Sequence, residues 1–379
     1  MRIAIISREL PPHGGGIGSW SLKAARGLAR LGDDVHLFTQ TRNGEPLEEV
    51  DSRVHIHRIR PAHRVRPYSL AWAWAAAQAV ESAGKFDVVQ ACEWDAEAVV
   101  YALRPAAPLV TRLATPHYLV QATNDAARAQ RLRSTLTSWM ERTQARRSRR
   151  VISPTRTLAG EVARTWGIDV DSIDIVPTGI DPPPVSPGPI PAFLTEAPYV
   201  LYFGRLEIRK GVDTLVDALP AVMEAHPDVH SVFIGEDLTN KGVPFEEYAR
   251  QRCAQHWSRI HFLPRMAHPE LFRIVANATL VVIPSRWENL ANTCLESMVL
   301  GRAIIATSGS GFNEVLTDGV DGLLVPPGNS DLLGAAMIKA LADPSLLEHL
   351  GLAARLRAAD FTVDRMACQL QEVYDQLSA

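Results

Sequence analysis

Cysteine is scarce in this chain and wrongly spaced for chemistry: Cys92, Cys253, Cys294 and Cys368 lie far apart, which excludes a zinc-ligand pattern and a disulfide framework and leaves buried or inert thiols. Long hydrophobic runs are also lacking. The opening MRIAIISREL meets a charge at Arg8 and then prolines, too short for a signal-peptide core or a membrane span, so a cytoplasmic address is expected, with peripheral contact at a membrane face still compatible. Neither sign of charge dominates: 39 Lys and Arg stand against 42 Asp and Glu, a net −3 that argues against general nucleic-acid affinity. Fixed-period repeats are missing, and so is the phosphate-loop pattern G-x-x-x-x-G-K-[ST].

What is present is an ordinary globular composition, 46% apolar and 21% charged, over 379 residues, more than one comfortable core holds. Two α/β domains follow. The first half alternates strand-like with helix-like segments: 2–6, 17–31, 34–39, 53–59, 69–83, 86–90, 93–103, 108–113, 125–148, 150–152, 155–166 and 173–176. Pro177, Pro182, Pro183, Pro184, Pro187, Pro189 and Pro191 then bar helix and central strand alike, so residues 181–198 read as a linker. A second βα series runs from 199 to about 340, followed by helices at 345–357 and 364–378.

The second series carries the chemistry. Its apolar runs at 199–203, 230–234, 259–262, 280–283 and 303–306 each end in a loop of polar residues or glycine, and in parallel α/β sheets ligands sit beyond the carboxyl ends of the strands. The loop Gly204-Arg205-Leu206-Glu207-Ile208-Arg209-Lys210-Gly211 places three cations before the helix 212–225, where the macrodipole opposes them. A diphosphate would answer them, Arg205 as a fork of donors and Lys210 as a point charge; the competing reading is local neutralisation by Glu207 and Asp213. In Pro284–Gly301, Glu288 stands in a loop and Glu296 eight residues on, in a short helix. Thr293 to Glu296 fits a capping box, which would explain Glu296 but not Glu288, nor the amides of Leu290 to Cys294 at a helix start suited to phosphate or sugar oxygens.

In the first half, Gly14-Gly15-Gly16 follow the first strand and let backbone amides approach a ligand. The dinucleotide fingerprint fails there: Ser19 or Ser21 replaces its third glycine, and no acid ends the second strand. His117 follows the strand 108–113 and can bond a sugar hydroxyl. Asp169-Val170-Asp171 has the look of a metal-binding D-x-D but reads as a solvated turn, so no metal ligand set is expected. The basic stretch Arg53 to Arg60, with His63, Arg64 and Arg66, reads first as an edge strand protected by charge and second as an acceptor-side surface for phosphate, carboxylate or anionic lipid. Arg142, Arg146, Arg147, Arg149 and Arg150 read as the favourable end of a helix. Tyr68, Trp72 and Trp74 are either an aromatic platform or helical core.

Taken in order, the glycine-rich first loop, Pro177-Thr178-Gly179-Ile180-Asp181, Gly204-Arg205 to Lys210-Gly211, the pair Glu288/Glu296 and the run from Gly309 through Glu314 to Gly328 resemble family 4 of the retaining glycosyltransferases. The resemblance implies a GT-B architecture: two Rossmann-like doubly wound domains facing across a cleft, 1–180 on the acceptor side and 199–360 binding the nucleotide sugar, with the last helix, 361–379, crossing back near Phe361 to complete the first. It further implies that Arg205 and Lys210 neutralise the donor diphosphate and that Glu296 binds the ribose. Glu288 with Asn289, Leu290, Ala291, Asn292 and Thr293 would hold the sugar, and backbone at Gly204, Arg265 and Met266 would line the rest of the donor site. His117 would lie near the donor sugar, and the amides at Gly15 and Gly16 near phosphate. Many members have glycine and phenylalanine after the first glutamate, where this chain has Asn289 and Leu290, so donor preference does not transfer. The expected reaction is metal-independent, retaining transfer to an acceptor hydroxyl without a cofactor, a UDP-sugar being the first choice of donor and the acceptor a small molecule, glycan or lipid-linked group. Other readings are a nucleotide-sugar epimerase and a non-catalytic nucleotide-sugar-binding subunit.

Overall fold

The computed structural model describes residues 1–42, 44–61, 67–122, 128–182, 188, 190–240 and 242–378; His63, Arg64, Arg66, Pro183, Pro184, Pro187 and Pro189 lie outside them. The chain divides into two compact units, Met1–Ile180 with Phe361–Ala379, and Asp181–Asp360.

The first unit runs β1 (Arg2–Ile6), α1 (Gly16–Arg30), β2 (Asp34–Gln40), β3 (Glu48–Asp51), β4 (Val54–Ile59), α2 (Tyr68–Ser82), β5 (Val88–Cys92), α3 (Val99–Leu103), β6 (Leu109–Arg112), α4 (His117–Ala122), α5 (Arg128–Arg147), β7 (Arg150–Ser153), α6 (Arg156–Trp166) and β8 (Ile173–Ile175). Its sheet has the order β3-β4-β2-β1-β5-β6-β7-β8. Every pairing is parallel except β3 with β4. The direction of winding reverses between β1 and β5, the position at which such sheets open a crevice. Helices cover both faces, which is why the inner strands read as unbroken apolar runs. On one face α1 packs Trp20, Ala24 and Leu28 against Ile3, Ile5 and Val35; on the other α2 brings Trp72, Ala76 and Val80 against Ala4, Ile6 and Phe38. Local signals set the ends of α6: the Thr155 side chain accepts from Leu158 N, and Gly167 closes the helix in the left-handed region.

The second unit runs α7 (Phe193–Glu196), β9 (Tyr199–Phe203), α8 (Val212–Ala225), β10 (His230–Ile234), α9 (Phe245–Arg252), β11 (Ile260–Leu263), α10 (His268–Asn277), β12 (Leu280–Ile283), α11 (Asn292–Val299), β13 (Ile304–Thr307), α12 (Phe312–Val315), β14 (Leu323–Val325), α13 (Ser330–Leu341) and α14 (Pro344–Ala358). Its sheet, in the order β11-β10-β9-β12-β13-β14, is parallel throughout. Winding reverses between β9 and β12. Val212, Leu215, Leu219 and Val222 of α8, with Leu333 and Met337 of α13, bury Val200, Tyr202 and Phe233. The final helix α15 (Val363–Ser378) belongs to the first unit, where Val363, Ala367 and Leu370 join the core under α1.

Two expectations change. The strand holding His55, His57 and Arg58 is not an edge: β3 lies outside it and its acids answer the cations, Glu48 Oε2 2.6 Å from His57 Nδ1 and Glu49 Oε2 2.6 Å from Arg58. His57 and Arg58 are therefore paired within their own hairpin. An aromatic platform of Tyr68, Trp72 and Trp74 does not form, because two positions on a helix turn the side chain to the opposite side: Trp72 is in the core and Trp74 is 50% exposed. Cys92, Cys253 and Cys294 are buried, and Cys368 is exposed. Among the described residues no helix is long and apolar enough to cross a membrane.

Candidate active site

In the second unit, the loops after β9 and β12 leave the sheet side by side at the reversal point. They are tied together: Arg286 N donates to Arg209 O at 2.9 Å, and Gly211, at φ +67°, sits so close to Pro284 that a Cβ would lie 1.9 Å from its carbonyl oxygen. Only glycine allows both that backbone conformation and that approach. The joined loops place Lys210 Nζ against Glu288 Oε1, with Arg209 3.8 Å away and the Ser285 hydroxyl donating to the same oxygen at 3.1 Å. Glu288 is 7% exposed. Burial would raise its pKa, but Lys210 and Arg209 outweigh burial and hold it below the usual range. For Lys210, burial lowers the pKa, Arg209 and Arg205 add to that, and Glu288 opposes them. Glu288 is thus the counter-ion of Lys210, a pairing that neither motif alone revealed.

Arg205 differs in being open, its side chain 55% exposed and 3.2 Å from Glu207, which also bonds Arg209 at 2.8 Å. Asp213 pairs instead with Arg286. The local neutralisation weighed from the sequence is therefore half right: Glu207 does answer Arg205 and Arg209. Gly204 leaves β9 at φ +141°, with its N–H on Ile234 O at 2.9 Å.

Glu288 and Asn289 are buried, Leu290 half-buried and Ala291 buried, leading into α11. Here the capping box fails. The N-cap is Ala291, which offers no side-chain acceptor, and Thr293 lies inside the helix beside Asn292. Glu296 is a half-buried residue of the second turn rather than a cap partner. The start of α11 is thus a helix N-terminus without its own side-chain cap, an arrangement that favours an anion. Arg265, exposed, and Met266, half-buried, follow β11 at the same end of the sheet.

In the first unit the reversal point is ringed with acids. His117 begins α4, and its ring Nδ1 lies 2.6 Å from Glu141 Oε1 while its backbone N–H donates to Oε2 at 3.0 Å. Nε2 is 3.6 Å from Asp95, and the ring stacks on Trp94 with centroids 3.8 Å apart. Burial alone would lower the His117 pKa; its bond to Glu141 and the charges of Glu141, Asp95 and Glu93 raise it instead. Asp95, at φ +57°, turns to Arg8, 2.5 Å away, and Arg8 N donates to Glu97 Oε1 at 2.8 Å. Buried Glu93 accepts from Ala114 N at 2.7 and 2.8 Å. Burial lifts Glu93 to about 7 and Glu97 to about 8. Sequence reading found His117 but none of these partners, which lie on four different segments and share no spacing.

The glycine loop has an unforeseen occupant. The amide of Gly15, the N-cap of α1, donates to Glu9 Oε2 at 2.8 Å, and a Cβ on Gly18 would meet Glu9 O at 2.5 Å, so part of the glycine pattern is explained by the chain packing on itself. Gly16 is the exposed first residue of the helix. Asp169 caps a short turn by accepting from Asp171 N at 3.2 Å.

Comparison with known proteins agrees along the chain. Residues 14–183 match the family model described as Glycosyltransferase Family 4, and residues 190–357 that of Glycosyl transferases group 1. An alpha-maltose-1-phosphate synthase of Mycolicibacterium smegmatis is 29% identical over 409 aligned positions, covering the whole of both chains. A D-inositol 3-phosphate glycosyltransferase of Xylanimonas cellulosilytica is 26% identical over 99% of this chain and 96% of its own. Among solved structures, sucrose-phosphate synthase from Thermosynechococcus elongatus superposes with a TM-score of 0.81 at 22% identity, over 100% of this chain and 99% of that one. Anabaena HepE, in complex with UDP and glucose, gives 0.76 at 19% identity over 99% and 100%.

Proposed function

The chain belongs to the GT-B glycosyltransferases, its first half to family 4 and its second to group 1, and on that premise we propose that it moves a glycosyl group from a nucleoside diphosphate sugar to an acceptor hydroxyl, with retention at the anomeric carbon and no catalytic metal. The second unit holds the donor and the first supplies the acceptor pocket. A uridine nucleotide is the first choice, the base carried by Anabaena HepE in its complex.

The carrying observation is the pair of joined loops at the β9/β12 reversal. They present an open guanidinium at Arg205, the Lys210 amine paired with Glu288, and the start of α11, whose N-cap Ala291 makes no side-chain cap bond, at one end of one sheet. Charge dominates the barrier. The bond from the anomeric carbon to the diphosphate oxygen breaks, and its electron pair stays on the diphosphate. The acceptor oxygen bonds the anomeric carbon on the same face, and its proton passes to the leaving phosphate. A preorganised charge at the leaving group contributes roughly 3 kcal/mol by analogy with an oxyanion-hole donor. Arg205 and Lys210 take that role.

Glu288 is committed to Lys210 and is not a nucleophile; with Asn289, Leu290, Ala291, Asn292 and Thr293 it shapes the sugar and phosphate contacts. Glu296 takes the ribose hydroxyls, and backbone at Gly204, Arg265 and Met266 lines the base side. Gly15, Gly16 and His117 are the first unit's contribution, His117 as a donor to a sugar hydroxyl. No cofactor takes part.

The test is nucleoside diphosphate release from a donor panel with EDTA present, with and without candidate acceptors, and NMR of the product's anomeric proton. Acceptor-dependent release with retained configuration supports the proposal. Inversion, or loss of turnover in EDTA, contradicts it. Sugar isomerisation without an acceptor would indicate an epimerase, and nucleotide binding without turnover a binding subunit.

A further inference from the structure

Away from the carboxyl ends of its strands, the first unit holds a second constellation. In the parallel register of β2 and β4, His36 lies opposite His55 and Phe38 opposite His57, while Asp34 precedes His36 by two and shares its face. One donor atom from each of Asp34, His36 and His55 falls within 4.8 Å of the others. His36 Nε2 is 3.2 Å and His55 Nε2 is 3.8 Å from Asp34 Oδ1. Donors bound to one tetrahedral ion at 2.0–2.1 Å stand about 3.3 Å apart, to be compared with 3.2 and 3.8 Å for the two separations from Asp34 and at most 4.8 Å for the third. The His55 and Asp34 side chains are 47% and 49% exposed, which leaves the remaining coordination positions to water.

Two groups address His36 Nε2: Arg2 Nη2, which only donates, at 3.3 Å, and Asp34 Oδ1, which only accepts, at 3.2 Å. A metal ion between the ring and the carboxylate takes the tautomer in which Nε2 carries the lone pair. His36 Nδ1 then bears the proton and donates to His57 Nε2 at 2.8 Å, and His57 Nδ1 donates in turn to Glu48 Oε2, 2.6 Å away. A carboxylate reached through the second ring nitrogen is the arrangement that orients ligating histidines and raises their basicity.

We propose that Asp34, His36 and His55 bind a divalent transition-metal ion of the Zn2+ class, with two imidazoles and one carboxylate as protein ligands and Glu48–His57 as the orienting relay. Imidazole suits Zn2+, Cu2+ and Ni2+ far better than Mg2+ or Ca2+. Binding displaces the Arg2 nitrogen from His36; the guanidinium keeps its bonds to Lys85 O at 3.0 Å and Ala83 O at 3.1 Å and its place over the Phe86 ring. Because Asp34 begins β2 and His55 lies near the start of β4, the site is at the end of the sheet opposite the His117 cluster. The ion ties two strands together and raises stability; it takes no part in turnover, so EDTA leaves the transfer reaction intact.

The test uses tag-free protein, stripped with EDTA and dialysed, titrated with Co2+ by visible absorption and with Zn2+ by thermal shift. One Co2+ per chain with tetrahedral-type bands and a Zn2+-dependent rise in Tm are expected. His55→Ala and Asp34→Asn, both at exposed positions, are expected to weaken binding roughly tenfold or more and to remove the Tm response. Arg2→Met is expected to tighten binding by removing a competing cation. Absence of Co2+ bands in the wild type, or affinity unchanged in His55→Ala, overturns the assignment.

Discussion

Nδ1 of His117 lies 2.6 Å from Oε1 of Glu141, and the other oxygen of that carboxylate accepts the backbone N–H of the same histidine. Ring and main chain are thus held by one buried acid. Since Glu141 and its neighbours raise the His117 pKa above 6.5 despite burial, the stabilisation from this pair is full below 6.5 and is lost as pH rises through the raised value. NMR titration is expected to find the His117 pKa above 6.5 in the wild type and lower in Glu141→Gln; an unchanged pKa would separate the two residues.

Glu97 gives a second pH dependence of the same sign. Its folded pKa of about 8 exceeds the ordinary 4.5, so folded protein retains a proton that unfolded chain releases, and stability from this group falls as pH rises from 4.5 towards 8. Glu97→Gln keeps an oxygen for Arg8 N and removes the buried charge. Its Tm at pH 8 is expected to exceed the wild type's by at least about 2 °C, with the advantage fading at pH 5; a lower Tm at both pH values would refute this.

Arg205 and Lys210 share a proposed role but not a structural one. Arg205→Ala, at an exposed position, is expected to reduce turnover on the order of a hundredfold with Tm within about 2 °C of the wild type. Lys210→Ala is expected to lower turnover at least as much and also Tm, because it strips buried Glu288 of its nearest cation. Steady-state kinetics beside calorimetry checks both, and near-normal turnover in the double variant would remove the diphosphate assignment.

Glu296→Ala separates ribose binding from helix capping. Donor Kd is expected to rise roughly tenfold or more, the loss of a hydrogen-bond acceptor, whether or not Tm changes. Unchanged Kd by titration calorimetry would remove the ribose role.

Gly211→Ala tests the seam between the loops. A methyl group there meets Pro284 O at a positive φ, so a loss of at least about 2 kcal/mol is expected in denaturant unfolding, together with weaker donor binding. Wild-type stability would show that the loops tolerate separation.

Much of this molecule is legible in its sequence, and the reasons differ by feature. Helix α8 runs over the expected 212–225 because a glycine and an apolar period mark its ends, and the buried strand Tyr199–Phe203 shows itself as an unbroken apolar run. Pairing order is less visible: β3, with its Glu-Glu-Val-Asp sequence, has no apolar alternation, so the strand it covers read as an edge. Thr293 and Glu296 have capping-box spacing, but the chain enters α11 two residues before the threonine, and local spacing carries no information on where a helix begins relative to its loop. Long-range pairs were invisible for the same reason. Lys210 meets Glu288 across 78 positions because a parallel sheet brings the ends of non-adjacent strands together, and His117 meets Glu141 across 24 because α5 packs beside the start of α4.

The donor assignment is tested most directly by thermal shift of wild-type and Arg205→Ala protein with UDP, GDP, ADP and TDP and their sugar conjugates, without added metal. A selective rise in Tm for one nucleotide, UDP first, that is absent or much reduced in Arg205→Ala is the expected result. No rise with any of the nucleotides, or an equal rise in the variant, would contradict a diphosphate site at the loops after β9 and β12.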